Sequence, residues 1–227
     1  IFKGNPYCTR GRAWVGWGPG RAAALGGLGG LAGALAASIA EAQNRPASPR
    51  GQASTQVGGS FNDEGRYSGG SWIEITYGRP ILRGRNGQKF GEGDDYAPRI
   101  YAGAPIWRVG ADVTTRITTE ADLVFDGKSL AAGEYSMFID LSADGWTLGF
   151  SNLGAKQSFR EETPNTVWGG YGYTTDLDAL RAEMTISEHP VSADQLIITF
   201  TDMSQQGGNL TVWWDTKIAT IPFQVAN

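Results

Sequence analysis

The stretch EYSMFIDLSADGWTLGF, residues 134–150, decides the fold class of this chain. Every second residue of EYSMFIDL is apolar, and the same alternation returns in WTLGF, which indicates strands that bury one face. Asp144-Gly145 lies between the two segments, and both residue types tolerate the backbone of a tight hairpin turn. The stretch therefore predicts two consecutive antiparallel strands. Their inward side chains are Tyr135, Met137, Ile139 and Leu141 in the first strand and Trp146, Leu148 and Phe150 in the second.

The same period of two recurs on both sides of this hairpin. It is present in WIEITY (72–77), QLIITFT (195–201), NLTVWWD (209–215) and ATIPFQV (219–225). Only TTDLDALRAEM (174–184) has helical character, and it equally fits a turn that leads into a strand. Eight or nine short antiparallel strands with one apolar face each predict an all-β fold, specifically an antiparallel two-sheet β-sandwich. Residues 84–105 and 152–170 are predicted to be long loops, which in compact domains are usually binding loops or disordered insertions.

The composition describes a globular chain and excludes several function classes. Of the 227 residues, 41% are hydrophobic and 19% are charged, and the 33 glycines suit a turn-rich β architecture. Residues 1–42 carry a net charge of +3, so the total of −4 leaves −7 on the remainder. An acidic body argues against a nucleic acid partner, because phosphate binding needs a basic surface. Cys8 is the only cysteine, which excludes a disulfide framework, and the only histidine, His189, is predicted to be a solvated loop residue.

Residues 1–42 are predicted to be a signal peptide or a membrane anchor. Three arginines (Arg10, Arg12 and Arg21) precede AAALGGLGGLAGALAASIA at residues 22–40, an uncharged run with a helical apolar face. Ala40-Glu41-Ala42 then forms the small-x-small pattern that a signal peptidase could cut. A cleaved signal peptide is the interpretation we favour.

A retained membrane anchor is the alternative for the same residues. Gly26 and Gly30 form a G-x-x-x-G pair, the spacing that lets membrane helices approach closely. Membrane attachment would then run through residues 21–42. Either alternative places the body outside the cytoplasm, in the periplasm or the extracellular space. The polar, proline-containing segment 43–59 is predicted to be a linker, and the folded domain is predicted to begin near Ala53 and continue to residue 227.

Two groups of arginine, carboxylate and aromatic residues are the candidate site. The first is IWRVGADVTT (106–115), with Arg79 upstream of it, and the second is VWGGYGYTTDLDALR (167–181). Arginine suits carboxylates and phosphates, and tryptophan and tyrosine faces suit sugar rings, so one interpretation is an anion- or sugar-binding cleft. The candidate residues are Arg79, Trp107, Arg108, Asp112, Trp168, Tyr173, Asp178 and Arg181.

The alternative is that these residues brace the fold, and we favour it. Arg79 and Arg108 would then be buried and paired with Asp112 or Asp178 at one end of the sandwich. The acidic stretch GEGDDY (91–96) lacks the regular spacing of a calcium loop and is predicted to be solvated. The sequence predicts no catalytic residue, no metal site and no cofactor.

Four segments resemble one family in the same order. They are ITYGRPILRGR (75–85), IWRVGADVTT (106–115), LAAGEYSMF (130–138) and WWDTKIATIPF (213–223). The chain resembles the DUF2911 family over roughly residues 47–225, and four ordered motifs make a chance match improbable. The resemblance implies an exported bacterial protein with a domain of this size, and it brings no catalytic residues. GEGDDYAPRIYAGAP (91–105) departs from the family, because this loop is longer and more acidic than usual.

Three functions follow as hypotheses. The first is an exported, non-catalytic β-sandwich that serves as a binding or structural module of the cell envelope, with an unknown small ligand or an envelope protein as its partner. The second is an accessory subunit of a larger complex, tethered to the membrane through residues 21–42. The third is a hydrolase that uses carboxylates such as Asp112 or Asp178.

Overall fold

The structure, a computed structural model, describes residues 46–226, so the predicted export or anchor segment lies outside the described residues. Within this range the chain forms thirteen strands and one short helix, α1 (Pro98–Tyr101). The strands before residue 131 are β1 (Arg50–Val57), β2 (Ser60–Phe61), β3 (Tyr67–Ser68), β4 (Ser71–Gly78), β5 (Arg116–Thr119), β6 (Leu123–Phe125) and β7 (Lys128–Leu130). The later strands are β8 (Gly133–Leu141), β9 (Trp146–Ser151), β10 (Gly154–Ala155), β11 (Thr166–Val167), β12 (Asp178–Ser204) and β13 (Gly207–Val225).

Nine of these strands form one antiparallel sheet, in the order β1-β4-β5-β8-β9-β12-β13-β6-β7. The hairpin predicted from residues 134–150 is present, with Leu141 opposite Trp146. The remaining four strands make two small ladders, β2 with β3 and β10 with β11. The prediction of an all-β, antiparallel fold is therefore confirmed.

The nine strands share one sheet because β12 changes partner along its length. Its first residues, Asp178–Met184, pair with β9, and its later residues pair with β13. The two halves of the sheet face each other across the core, since the Phe125 ring of β6 lies 5.1 Å from the Phe150 ring of β9. The sequence predicted two separate sheets, whereas the two layers are halves of one sheet that continues through β12. Both arrangements present the same alternating faces, so the alternation does not distinguish them.

The alternating apolar positions are buried as predicted. Ile73, Ile75, Met137, Ile139, Leu148, Phe150, Leu196 and Leu210 have no exposed surface. Phe138 is also fully buried although it lies on the opposite face of β8. A second small cluster explains this, because Ile106, Leu153, Val167 and Tyr173 pack on Phe138 from the loops that cover that face.

Residues 50–57 form β1 rather than part of a linker. β1 pairs with β4 along its whole length, from Arg50 opposite Gly78 to Val57 opposite Ser71. The linker predicted over residues 43–59 is therefore wrong for this segment. Its side chains are mostly polar, as an edge strand with one covered face allows, and such a composition resembles that of a loop.

Both predicted loops pack against the domain. In segment 84–105, a 3₁₀ turn at Gly93–Asp95 precedes α1, and the Phe90 ring stacks on Trp146 with centroids 5.2 Å apart. Segment 152–170 carries β10 and β11. Segment 174–184 forms a 3₁₀ turn at Thr175–Leu177 and then enters β12, which confirms the turn-into-strand alternative. Among residues 46–226, no helix has the length and apolar character needed to cross a membrane.

Candidate functional site

Trp107 is a core residue and not part of a binding surface. Only 2% of it is exposed, and its ring stacks on Trp214 with centroids 6.2 Å apart. Its backbone exchanges two hydrogen bonds with Ile139 of β8, at 3.2 and 2.9 Å. The interpretation of Trp107 as a ligand-stacking face is therefore wrong, because β8 and β13 leave no open side to the indole.

The segment Trp107–Asp112, here called the corner, is held by its backbone. Val109 and Asp112 adopt left-handed conformations, with φ of 49° and 69°. The turn packs directly on the end of β4, where the Ala111 N–H donates to the Gly78 carbonyl at 3.1 Å. A Cβ at Gly78 would overlap the Ala111 carbonyl oxygen, so this approach requires glycine.

Arg108 lies across the corner and contacts no carboxylate among residues 46–226. Its Nη1 donates to the backbone carbonyl of Asp112 at 2.9 Å, and its guanidinium lies 5.5 Å from the centre of the Tyr171 ring. Burial lowers the pKa of Arg108, and the neighbouring Tyr171 and Asp112 oppose that shift. The side chain fills the space above Gly169, where a Cβ would collide with the guanidinium. The Asp112 carboxylate is exposed.

The loop that contains Trp168 is fixed beside the corner. The Gly169 N–H donates to the buried Thr114 hydroxyl at 2.9 Å, and that hydroxyl donates to the Val167 carbonyl at 3.0 Å. Trp168 itself is half-buried and forms a bridge with Tyr171. Tyr171 is the residue that sequence reasoning missed here, although it lies within the quoted VWGGYGY.

Three of the four remaining candidates meet in one network. We call it the Arg181 cluster, and it consists of Tyr101, Asp140, Tyr173, Asp178 and Arg181. The Tyr173 hydroxyl donates to Asp178 Oδ2 at 2.5 Å and accepts from Arg181 Nη1 at 2.8 Å. Arg181 Nη1 also lies 3.3 Å from Asp178 Oδ2, and Arg181 Nη2 lies 3.1 Å from Asp140 Oδ2. The guanidinium thus lies between two carboxylates.

Asp140 and Tyr101 were not predicted as site residues. Asp140 occupies an outward position of β8, where a polar residue is expected, and Tyr101 lies in α1. The Tyr101 hydroxyl is 3.1 Å from Asp140 Oδ1 and accepts from the Leu141 N–H at 2.7 Å. No sequence pattern indicates this contact, because it joins the 84–105 loop to a strand about 40 residues away.

The environment of the cluster keeps both tyrosines protonated and Arg181 charged at neutral pH. Burial raises the pKa of Tyr101 to about 12, and burial together with the hydrogen bond to Asp178 raises the pKa of Tyr173. Burial lowers the pKa of Arg181, but Tyr173, Asp178 and Asp140 raise it by more than burial lowers it. The pKa of Arg181 therefore lies above its ordinary value. The Tyr173 hydroxyl therefore keeps its proton at neutral pH and donates it in the hydrogen bond to Asp178.

One atom of the cluster has no partner. The Asp178 side chain is only 6% exposed, and its Oδ1 accepts no hydrogen bond within the described residues. Asp178 is also one of the residues that line an open surface cavity of about 450 Å³, together with Lys128, Thr175 and residues 179–181. This volume lies within the range of about 300–1,000 Å³ that small-ligand sites occupy. The cavity combines an ammonium group, a hydroxyl and a carboxylate, which suits a ligand rich in hydroxyl or amine groups.

Arg79 lies apart from both groups. Its guanidinium donates to the side-chain oxygen of Gln195, and its aliphatic stem packs on Gly51. Within residues 46–226 neither Arg79 nor Arg108 forms an ion pair, so their predicted pairing with Asp112 or Asp178 is wrong. The arginine that pairs with Asp178 is Arg181, which the register of β12 and β9 brings to the same side of the sheet.

The remaining chemical candidates stay separate. His189 is half-buried within β12, not in a loop, and packs its ring against Trp213 with centroids 4.7 Å apart. In the part of the chain that the structure describes, no three histidine, cysteine or acidic side chains are grouped so that they could hold a metal ion. Whether the candidate residues bind a ligand stays a prediction.

Fold and site together define a class of protein: an antiparallel all-β domain whose outer face carries a cluster of two carboxylates and one arginine under ordered loops. The chain belongs to the DUF2911 family, whose model, described as a protein of unknown function, matches residues 62–223. The predicted resemblance is therefore confirmed. No curated protein and no solved structure gives a significant match.

Proposed function

We propose that this protein is an exported, non-catalytic binding or structural module of the bacterial cell envelope. The observation that carries the proposal is the position of Arg181, which lies between Asp140 and Asp178 and pairs with both. A glycoside hydrolase of the two-carboxylate type needs one carboxyl group to hold a proton and another to face a water or the sugar. Here one guanidinium contacts both carboxylates and links them in one network, which suits a brace that supports a binding surface.

The cavity beside Asp178 is the proposed binding surface. Asp178 Oδ1 accepts no hydrogen bond from the described residues. A buried acceptor without a partner costs free energy, which a ligand donor would recover. Lys128 supplies a positive charge at the rim, where its Nζ donates to the Arg181 carbonyl at 2.8 Å. Hydroxyl-rich envelope carbohydrate satisfies both groups, because a sugar hydroxyl can donate to the carboxylate and accept from the ammonium.

Export is supported by the sequence of the N-terminal residues. Arg10, Arg12 and Arg21 precede the uncharged run at residues 22–40, and Ala40-Glu41-Ala42 follows it. We propose that the body functions in the periplasm or outside the cell. A tethered accessory subunit is the alternative when the run is retained as an anchor.

Fractionation of a bacterium that expresses the full chain tests the export step. We expect the soluble envelope fraction to contain a chain whose intact mass corresponds to a start near Gln43. A full-length mass in the membrane fraction would contradict the soluble module and support the tethered subunit. A full-length mass in the cytoplasm would contradict export altogether.

Binding is tested separately with neutral, amino-sugar and uronic-acid oligosaccharides. We expect a rise in melting temperature with at least one class, and we expect Asp178→Asn to weaken that rise while Glu188→Gln, a distant exposed carboxylate, leaves it unchanged. Turnover of a glycoside or ester panel that disappears in Asp178→Asn would refute the non-catalytic assignment. If no oligosaccharide of the panel raises the melting temperature, carbohydrate binding is refuted and the structural role remains.

A further inference from the structure

A second opening, which shares no residue with the Arg181 cluster, lies between the edge of β1 and the later part of β12. β1 is the first strand in the sheet order, so its outer edge has no strand partner. The later part of β12 pairs with β13 on one side only. These two free edges border a cavity of about 360 Å³, whose walls are Gln52–Thr55 of β1 and Ile197–Phe200 of β12. We call this opening the slot.

Backbone hydrogen bonds close both ends of the slot, one formed by the residue after β1 and the others by the segment that follows β4. At one end the Gly58 N–H donates to the Gln205 carbonyl at 2.8 Å. At the other end, Leu82 N–H donates to Asp194 and Leu196 N–H donates to Pro80, at 2.8 and 3.1 Å. Between these ends the described residues make no backbone hydrogen bond from Gln52–Thr55 to Ile197–Phe200. The slot is therefore a gap between two strand edges that are bridged only at its ends.

The direction of the two edges determines which strand would fit between them. Gly58 meets Gln205 at one end, and the start of β1 lies near Gln195 at the other, so β1 and β12 run parallel along the slot. A strand inserted in the opposite direction would lie antiparallel to both edges and pair with their free backbone groups, apart from the Ile198 N–H, which donates to Tyr77. Antiparallel pairing is slightly more stable per residue than parallel pairing, and free edges readily accept an added strand.

One edge donor inside the slot is already satisfied by a side chain. The Ile198 N–H points away from β13 and donates to the Tyr77 hydroxyl at 3.0 Å. Tyr77 therefore forms the floor of the slot, and Phe200 and Met203 form an apolar wall. An extended segment would lie above Tyr77 and place one apolar side chain on that wall.

Arg79 supplies a positive charge at the end of the slot where β1 begins. It lines the cavity, and the only side-chain acceptor that it has among the described residues is the neutral Gln195 oxygen. Its Nε is buried and has no acceptor there. A guanidinium with one neutral partner beside an open cavity complements a carboxylate, and arginine forks bind carboxylates in bidentate geometry.

We propose that the slot binds the carboxyl-terminal end of an extended polypeptide, with the terminal carboxylate on Arg79 and the chain running antiparallel to β1 and β12. The Gln52–Thr55 wall is about 13 Å long at about 3.3 Å per residue, so the bound segment contains about four residues. This site is independent of the carbohydrate-binding proposal, and either can fail without the other.

The first test compares two probes on the full chain labelled with ¹⁵N. The probes are N-acetyl-Val-Thr-Val-Thr with a free carboxylate and the same peptide with a carboxyl-terminal amide. We expect the acid to shift the amide signals of residues 52–55 and 197–203, and the amide to bind at least about tenfold more weakly. Equal binding of the two probes, shifts elsewhere, or no shift at about 5 mM acid peptide would overturn the proposal.

Variants locate the carboxylate. Arg79→Met keeps the stem that packs on Gly51 but removes the charge, so the preference for the acid over the amide should disappear. Arg83→Met is the matched control, because the exposed Arg83 side chain donates to the Ala47 carbonyl and does not line the slot. An acid preference that persists in Arg79→Met would refute the role of Arg79. If that variant fails to fold, hydrogen exchange in the unmodified protein decides, read at those amides of residues 52–55 that point away from β4, since the ladder with β4 already protects the others.

Discussion

The corner and the Arg181 cluster contain the same residue types, but different forces hold them. In the corner, Arg108 meets a backbone carbonyl and an aromatic ring, and the turn depends on a close backbone approach at Gly78. In the cluster, Arg181 meets the carboxylates of Asp140 and Asp178. An arginine near an aspartate in the sequence therefore does not by itself indicate an ion pair. Backbone substitutions should damage the corner most, and carboxylate substitutions should damage the cluster most.

The largest expected effect is at Gly78, where the comparison depends on backbone contact. Gly78→Ala should reduce the free energy of unfolding by about 3 kcal/mol or more, because the added Cβ overlaps the Ala111 carbonyl. Urea denaturation of the full chain measures the change. Gly145→Ala is the control, since a Cβ there meets no atom within 4 Å, and it should change stability by less than about 0.5 kcal/mol. Equal effects of the two variants would contradict a backbone-held corner.

The second largest expected effect is a loss of stability when a carboxylate of the Arg181 cluster is replaced. Asp178→Asn should cost about 2 kcal/mol, because it removes the charge that Arg181 and the Tyr173 hydroxyl contact in a buried position. Arg181 keeps Asp140, which limits the loss. The same denaturation experiment measures it, with Glu188→Gln as the control. Glu188 is 68% exposed and pairs with Lys217, so its change should stay below about 0.5 kcal/mol. A loss at Asp178 no larger than the loss at Glu188 would show that the cluster contributes little to stability.

Two substitutions in the corner should have smaller effects. Arg108→Met should cost about 1 kcal/mol, because it removes one hydrogen bond and the contact with Tyr171 but keeps the stem. Asp112→Asn should change stability by less than about 0.5 kcal/mol, since its carboxylate makes no ion pair with the residues that the structure describes and asparagine accepts its φ of 69°. A cost at Asp112→Asn equal to that at Asp178→Asn would abolish the distinction between the two regions.

The smallest expected effect is a dependence of stability on alkaline pH. Burial and Asp140 raise the pKa of Tyr101 to about 12, above the value of about 10 for an exposed tyrosine. The protonated form is favoured in the folded state, so this contribution is complete below pH 10 and is lost as the pH rises toward 12. Denaturation at a series of pH values should show a shallower decline in Tyr101→Phe than in the unmodified chain. Identical declines would mean that Tyr101 ionises equally in both states.

Much of the fold could be predicted because strand periodicity is a local property. Ile73 and Ile75 or Leu148 and Phe150 are buried on one face since successive side chains of a strand alternate, whatever the strand pairs with. β1 could not be predicted in this way, because an edge strand needs only one covered face and its polar residues resemble a linker. The continuity of the sheet through β12 was equally hidden, since it depends on partner exchange and not on composition.

The candidate site was predictable only in part. Tyr173, Asp178 and Arg181 lie within nine residues of one another, so their meeting followed from short spacing once β12 began at Asp178. Asp140 and Tyr101 joined them without any signal in the sequence. Trp107 and Arg79 went elsewhere, one into the core and the other to the slot.

The sequence by itself determined that this chain is an antiparallel all-β domain of the DUF2911 family, and which side chains of its longer strands face the core. Only the tertiary structure decided which arginine meets which acceptor. Arg108 reaches a carbonyl because the turn at Asp112 directs that carbonyl toward it, and Arg181 reaches Asp140 because the ladders of β8, β9 and β12 bring distant residues to one face. Alternation is a property of each residue and its neighbours, whereas an ion pair or an open slot depends on the register between strands far apart in the chain.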